Sequence, residues 1–289
     1  MGKIWSAYEA VIDNCVNKDF LVLMLVLAVA QMIGLGLVLG VGVLLLIASA
    51  FLGPVAVAVV VFLTVLALTA FSSLFMGLYF NAGVSQLERN KAEFDAALKN
   101  SLDHLFNSLK LGLLALLVAG IFFGLFFLVI GAAVLPALAS VFTGGAAPSG
   151  QALLATVGGA FSGLLLFIFV AFAGFLALTP FTSVLFILPF AEGTGARASI
   201  RRAIELGKAH YWDNLKLVGL NMITSSGAFS LFYLAAVFLM VPLLAFGGLG
   251  GFAIALNFVY LLAIILGGVF QAALGALFLA RLYLFDAHG

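Results

Sequence analysis

An all-α fold is predicted: a polytopic helical membrane bundle of six transmembrane helices with interfacial amphipathic helices and internal repeats. Three observations carry that prediction. Of the 289 residues, 65% are hydrophobic and only 8% are charged, against roughly 25% charged residues in a soluble domain. The apolar runs exceed the roughly 20 residues that cross a bilayer as a helix, and they lack the alternation over about ten residues that a barrel strand shows. Lipid offers the backbone no hydrogen bonds, so helices remain as the spanning element. Finally, the twelve Lys and Arg and the eleven Asp and Glu fall in only four segments, and three of the turns between apolar runs carry no charge.

The first expected element is an amphipathic helix, with Ile4, Tyr8, Val11, Ile12 and Cys15 on one face and Lys3, Glu9, Asp13 and Asn17 flanking it. Sixteen mixed residues separate Lys3 from the first long run. That is unlike a secretory signal, so the segment is expected to be retained. The single cysteine, Cys15, has no internal partner and fits a reducing compartment. Span one is expected at residues 20–48 and span two at residues 55–80, with the Gly53-Pro54 pair turning the chain between them.

Ser85 with Glu88 three residues on reads as a capping box that starts a second amphipathic helix. In that helix Phe94, Leu98, Leu102, Leu105 and Leu109 recur at helical spacing, and Asp95, Lys99 and Asp103 occupy another face. Span three follows at residues 109–139, then the loop "TGGAAPSGQ", then span four at residues 152–178, with Pro180 and Pro189 kinking or ending its continuation. A third amphipathic stretch carries Ile200, Ile204, Gly207, Tyr211 and Leu215, with Arg197, Arg201 and Glu205 as its charged row. Spans five and six are expected at residues 215–244 and 252–280, on either side of "AFGGLGGF".

"HLFNSLKLG" from His104 and "HYWDNLKLVG" from His210 place nearly one phrase twice, 106 residues apart. The chain therefore reads as a single membrane domain, 1–289, built from three units at about 1–80, 85–180 and 191–284. Each unit is an amphipathic helix followed by a transmembrane hairpin; the second and third are alike in residues, the first only in pattern. Phe106, Lys110, Trp212 and Lys216 are the expected interface anchors, since lysines snorkel to headgroups and aromatic rings favour a boundary with one wet and one dry side. With six spans the four charged segments share one side, which the positive-inside rule makes cytoplasmic. Both termini are then cytoplasmic, in a multi-pass protein of the cytoplasmic membrane.

Intramembrane chemistry needs polar or ionisable groups within the bundle. No Asp, Glu, Lys, Arg or His lies in the core of a predicted span, Lys110 and Lys216 standing at the entry of spans three and five, and the common hydrolase, phosphate-loop and metal motifs are missing from the sequence. Neither catalytic residues nor a cofactor nor a metal is expected. His104 and His210 sit at equivalent places in two units, but no third ligand stands beside either one. Two weaker candidates remain. Asn221, Thr224, Ser225 and Ser226 could face Asn257 or Gln271 across a polar cavity between spans five and six, against the plainer reading of hydrogen bonds between packed helices. Arg197, Arg201, Arg202 and Lys208 could meet a lipid headgroup or phosphate, against the plainer reading of topogenic charge. Gly36-x-x-x-Gly40, Gly159-x-x-x-Gly163 and Gly267/Gly268 read first as close helix contacts and second as oligomer contacts.

"PFAEGTGARASIRRAIELGKAHYWDNLKLVGLNMI", residues 189–223, resembles a recurring element of a diffuse group of bacterial six-span proteins. That group includes the membrane domain attached to some glycerophosphodiester phosphodiesterases and related stand-alone proteins of unknown function. Its Glu-Gly, aromatic and following span correspond here to Glu192, Gly193 and Trp212, and "RLYLFD" ending at Asp286 looks like the tail after its last span. No catalytic barrel is expected within these 289 residues, so the phosphodiesterase activity is not carried over, and what the resemblance implies is an accessory or scaffold role. The expected function is thus a non-enzymatic integral membrane scaffold or accessory subunit that docks partners through cytoplasmic amphipathic helices. The alternative is a transporter or lipid-handling protein using the polar cavity. Expected partners are the lipid bilayer and a membrane protein or second copy of the chain, with no nucleic acid.

Overall fold

A computed structural model of the chain describes residues 2–91, 93–142, 150–246 and 265–284. Every regular element among the described residues is a helix. In chain order they are α1 (Gly2–Cys15), α2 (Lys18–Ala50), α3 (Pro54–Arg89), α4 (Phe94–Phe142), α5 (Gly150–Leu185), α6 (Leu188–Glu192), α7 (Ala196–Ala209), α8 (Tyr211–Phe246) and α9 (Ile265–Leu284).

Among the described residues, four helices are long and apolar enough to cross a membrane: Lys18–Ala50, Pro54–Arg89, Phe94–Phe122 and Ile265–Leu284. A bent pair, Ile168–Gly174 with Leu176–Glu192, raises the number to five. Spans one and two fall on the first two of these, spans three and six overlap the other two in part, and span four overlaps the start of the bent pair. Span five corresponds to α8, a helix of 36 residues. The loop after span three and the linker before span six lie largely outside the described residues.

The turn between α2 and α3 forms as expected. Gly53 adopts φ 102, a conformation that a side chain would strain. Pro54 then opens α3 at a position where its missing N–H costs nothing. Asn17 caps α2, its Oδ1 accepting from the amides of Asp19 at 3.0 Å and Phe20 at 3.2 Å.

Two local expectations are corrected. Ser85 and Glu88 cap nothing, because α3 runs on through them to Arg89. That helix stops at Asn90, whose φ of 49 is left-handed and whose amide donates to Gln86 O at 3.0 Å. The amphipathic stretch before Lys110 is not a separate helix, since α4 continues through it for 49 residues; Asn107 and Ser108 are too weak to break a helix. The equivalent point in the later copy does break: α7 ends at Ala209, His210 caps it with its amide on Leu206 O at 3.1 Å, and α8 begins at Tyr211. The prolines act as expected: α5 bends by 47° between Gly174 and Leu176, the turn before Pro180, and ends at Leu185, and Pro189 sits in the first turn of α6 beyond that break.

Two compact units divide the chain, Met1–Gly112 with Pro180–Gly289, and Leu113–Thr179. All 23 formally charged residues fall in the first unit, and the second has none.

The first unit holds two hydrophobic cores. One gathers Val11 and Cys15 of α1, Phe20 and Met24 of α2, Phe75 and Leu78 of α3, and Ala273 and Leu277 of α9. The other gathers Phe80 of α3, Leu188 and Phe190 of α6, Leu206 of α7, Leu217 of α8 and Leu282 of α9. Because α3 and α9 contribute to both, their mutual contact sets the spacing of the rest. Small residues make it: a Cβ on Gly83 would lie 2.5 Å from the backbone oxygen of Ala276. Lipid tails are as apolar as Leu, so close van der Waals contact of this kind holds helices together in a bilayer. The second unit comprises the later part of α4 and most of α5, and its described side chains, such as Leu117, Val118, Phe169 and Leu178, are largely exposed.

Candidate functional site at the charged end

Two polar seams lie among the helices of the first unit. In the first, Asn81 of α3 donates to Gly77 O at 2.8 Å and to Ser101 Oγ at 3.3 Å, while Asn100 of α4 donates to Asn81 Oδ1 at 2.7 Å and to Phe190 O at 2.9 Å. Ser101 is fully buried and donates to Ala97 O at 2.6 Å. Gly77 makes the approach possible, since a Cβ there would stand 2.6 Å from the Phe190 ring and 2.8 Å from Ser101 Oγ. One carboxamide thus spans three elements and satisfies a carbonyl of the short helix α6, which has few internal bonds of its own. Just beyond, Gly193 turns the chain at φ 63 beneath the His104 ring, where a Cβ would meet Cε1 at 3.2 Å. Thr194 Oγ1 and Ser199 Oγ then pair at 2.7 Å at the start of α7.

In the second seam, buried Gln86 of α3 donates to Asn14 Oδ1 at 3.2 Å and to Asn90 Oδ1 at 3.0 Å, and Asn14 donates to Ala10 O at 2.9 Å. Beside it, Tyr8 of α1 bonds Thr224 Oγ1 of α8 and reaches Leu220 O at 3.4 Å. Together these bonds fasten α1 to α3 and α8. Cys15 closes α1 in the first core, and burial pushes its thiol pKa up to about 12.

The residues buried against the rest of the unit are not, for the most part, those of the apolar stripes read from the sequence. On α4 the buried stripe is Ala97, Ser101, Ser108 and Leu111, while Phe94, Leu102 and Phe106 stay exposed. On α7 it is Ser199, Ala203, Leu206 and Gly207, with Ile204 exposed. Small side chains let the helices approach, as Gly207 does against the Phe181 ring, and the large apolar ones turn outward, the arrangement that lipid rather than water favours.

The sequence-predicted residues are placed as follows. Phe106 and Trp212 are exposed, at 66% and 68%, and Lys110 lies 4.3 Å from the Phe106 ring centroid, a cation–π contact. Lys216 approaches Asp213 at 3.5 Å, and Trp212 meets Tyr211 edge-on at 5.3 Å. Arg201 pairs with Glu205 at 3.2 Å, and Arg202 with Glu192 at 3.4 Å and Glu205 at 3.7 Å. Arg197 and Lys208 stay exposed and make no ion pair among the described residues. Two of the four cations, Arg201 and Arg202, are thus matched by acids, and both meet Glu205. Of the cavity candidates, Thr224 is joined to Tyr8, Ser225 bonds back to Met222 O at 3.3 Å, and Ser226 and Gln271 are exposed. Asn221 keeps a buried Oδ1 without a partner among the described residues, and Asn257 lies outside them. Of the glycine pairs, Gly36 and Gly40 face open space, so the close contacts of α2 with α3 are made by Gly34 and Gly42 instead.

Asn14, Asn81, Gln86, Asn100 and Ser101 were not singled out by the sequence reading. Their only signal is position: polar residues on the small-residue side of helices, close to the charged segments. They supply amides and hydroxyls, groups suited to holding helices in register. Among the described residues no three His, Cys, Asp or Glu are grouped to hold a metal.

Fold and site define a class, a multi-pass helical membrane protein whose polar chemistry is gathered in one of its two units. The chain matches no family model, no curated protein and no solved structure.

Proposed function

We propose that this protein is a non-enzymatic scaffold or accessory subunit of the cytoplasmic membrane, with six spans and both termini on the cytoplasmic side. It docks a partner membrane protein, or a second copy of itself, through the amphipathic helices of its charged end. The observation that carries this reading is the outward turn of Phe94, Leu102, Phe106, Ile204 and Trp212 on helices whose inner faces are held by buried amides and close glycine contacts. A rigid frame presenting large apolar and aromatic residues is what a docking surface requires.

The repeat reading is supported by matched burial at the 106-residue offset. Ala97 with Ala203, Ser108 with Asn214 and Leu111 with Leu217 are buried in both copies, and Phe106 with Trp212 exposed in both. The segment that resembles the membrane domain of glycerophosphodiester phosphodiesterases supplies α6, α7 and the start of α8, so the likeness and the proposed docking surface overlap.

Photocrosslinking groups at Leu102 and at Ile204, activated in native membranes, test the proposal. A common protein adduct from both positions is expected; lipid adducts alone from both would overturn it. The transporter reading keeps one supporting observation, the unpartnered Oδ1 of Asn221. Solute or lipid flux through proteoliposomes that Asn221→Ala abolishes would establish that reading in its place.

A further inference from the structure

A groove of about 370 Å³ runs between α2 and α9, walled by Leu21, Val22 and Leu25 on one side and by Leu266 and Phe270 on the other, with Lys18 at its mouth. Lys18, Leu21, Val22 and Leu25 follow the i, i+3, i+4, i+7 rule, so one face of α2 supplies a cation and then an apolar track about 10 Å long. Asp19, one residue on, points about 100° away around the helix and does not line the groove. Lys18 is exposed and makes no ion pair among the described residues, unlike Lys216 and Arg202. Val22 and Leu266 are themselves exposed, so the groove opens sideways.

We propose that this groove is a site for an anionic membrane phospholipid, its phosphate on Lys18 and one acyl chain along α2 and α9. The chemistry selects the occupant. An acyl chain gains nothing in hydrophobic energy by leaving the bilayer for a groove, because both are equally apolar. Selectivity must therefore come from the headgroup, where Lys18, a cation without an ion pair among the described residues, favours net negative charge. A partner helix would have to bring an acid to the level of Lys18 and bury it, at a desolvation cost that a headgroup already at the interface does not meet. This inference rests on the multi-pass membrane assignment and is independent of the scaffold proposal.

The test is lipid binding to the full chain in mild detergent, read by native mass spectrometry with phosphatidylglycerol and phosphatidylcholine of identical acyl chains. The wild type is expected to retain one phosphatidylglycerol with about fivefold preference, the factor one lysine supplies beside an anionic headgroup. Lys18→Gln should erase the preference, Lys18→Arg should keep it, and Lys99→Gln, which changes an exposed cation elsewhere, should leave it intact. Leu25→Trp, which fills the track, should lower retention of both lipids. Equal retention of the two lipids by the wild type, or an unchanged preference in Lys18→Gln with its fold verified by circular dichroism, would overturn the proposal.

Discussion

Gly83 of α3 and Gly40 of α2 are the same residue in two different physical settings. A methyl group on Gly83 would press against the backbone of α9, whereas one on Gly40 would meet nothing. The contrast extends to their surroundings. Near Gly83 the residues Phe80, Ala82, Gln86, Ala276 and Ala280 are all buried. Around the far ends of α2 and α3, by contrast, Leu44, Phe51, Leu52 and Val55 are exposed, Phe51 at 88%. Along the distal hairpin large side chains such as Leu44 need no protein neighbour where acyl chains can cover them, and those of the turn, Phe51 and Leu52, lie beyond the helices at the membrane boundary. At the charged end small residues and amides face inward, because close approach and paired polar groups are what stabilise helix association there.

The largest effect that could break this contrast is steric. Gly83→Ala is expected to destabilise the folded protein by about 2 to 3 kcal/mol or to prevent its recovery, because the obstacle is a carbonyl rather than a side chain that can swing aside. Gly40→Ala should be neutral or stabilising by up to about 1 kcal/mol, the helix-propensity gain. Denaturation in mixed micelles measures both, and equal effects at the two positions would erase the distinction between the regions.

A smaller effect is expected at Asn100. Replacement by Ala leaves Phe190 O and Asn81 Oδ1 without their donor, at a cost of about 1 to 3 kcal/mol. Asn100→Asp should not rescue, because a carboxylate brings only acceptors to two acceptors. A variant as stable as wild type would mean the seam contributes nothing to holding α6.

The smallest effect concerns Cys15. Its thiol is raised from 9.0 to about 12 by burial, so the protonated form is the one that the fold favours. The stability this confers is complete below about pH 9 and is lost as pH rises toward about 12. Near pH 8 the native protein should therefore resist maleimide in detergent and react only once denatured. Rapid native labelling would contradict the placement of α1 in the core.

Much of the architecture is legible in the sequence, because long apolar runs, a Gly-Pro turn and charge confined to four segments are each imposed by the bilayer. The α2 to α3 turn at Gly53 and the exposure of Phe106 and Trp212 follow directly from such rules. Where α3 ends does not, because Ser85 and Glu88 mimic a helix start and the decisive residue is Asn90 in a left-handed turn. The faces of α4 and α7 are legible only in part: periodicity puts Phe94, Leu102 and Ile204 on an apolar stripe, but which residues the chain buries instead, small ones such as Ala97 and Ala203, shows only when the helices pack. The polar seams stayed hidden for a related reason. Asn81, Asn100 and Gln86 become distinctive only when helices distant in sequence meet, and residue type alone does not reveal that meeting.

The central claim, a membrane-crossing bundle with its charged end on one side, is tested most directly by sided labelling. Cysteines placed at Leu52, in the uncharged turn between α2 and α3, and at Ala198, on the exposed side of α7, can be probed in sealed cells with an impermeant maleimide while buried Cys15 stays silent. The account predicts that Leu52→Cys reacts in intact cells and Ala198→Cys only after permeabilisation. Reaction of both in intact cells, or of neither, would contradict it.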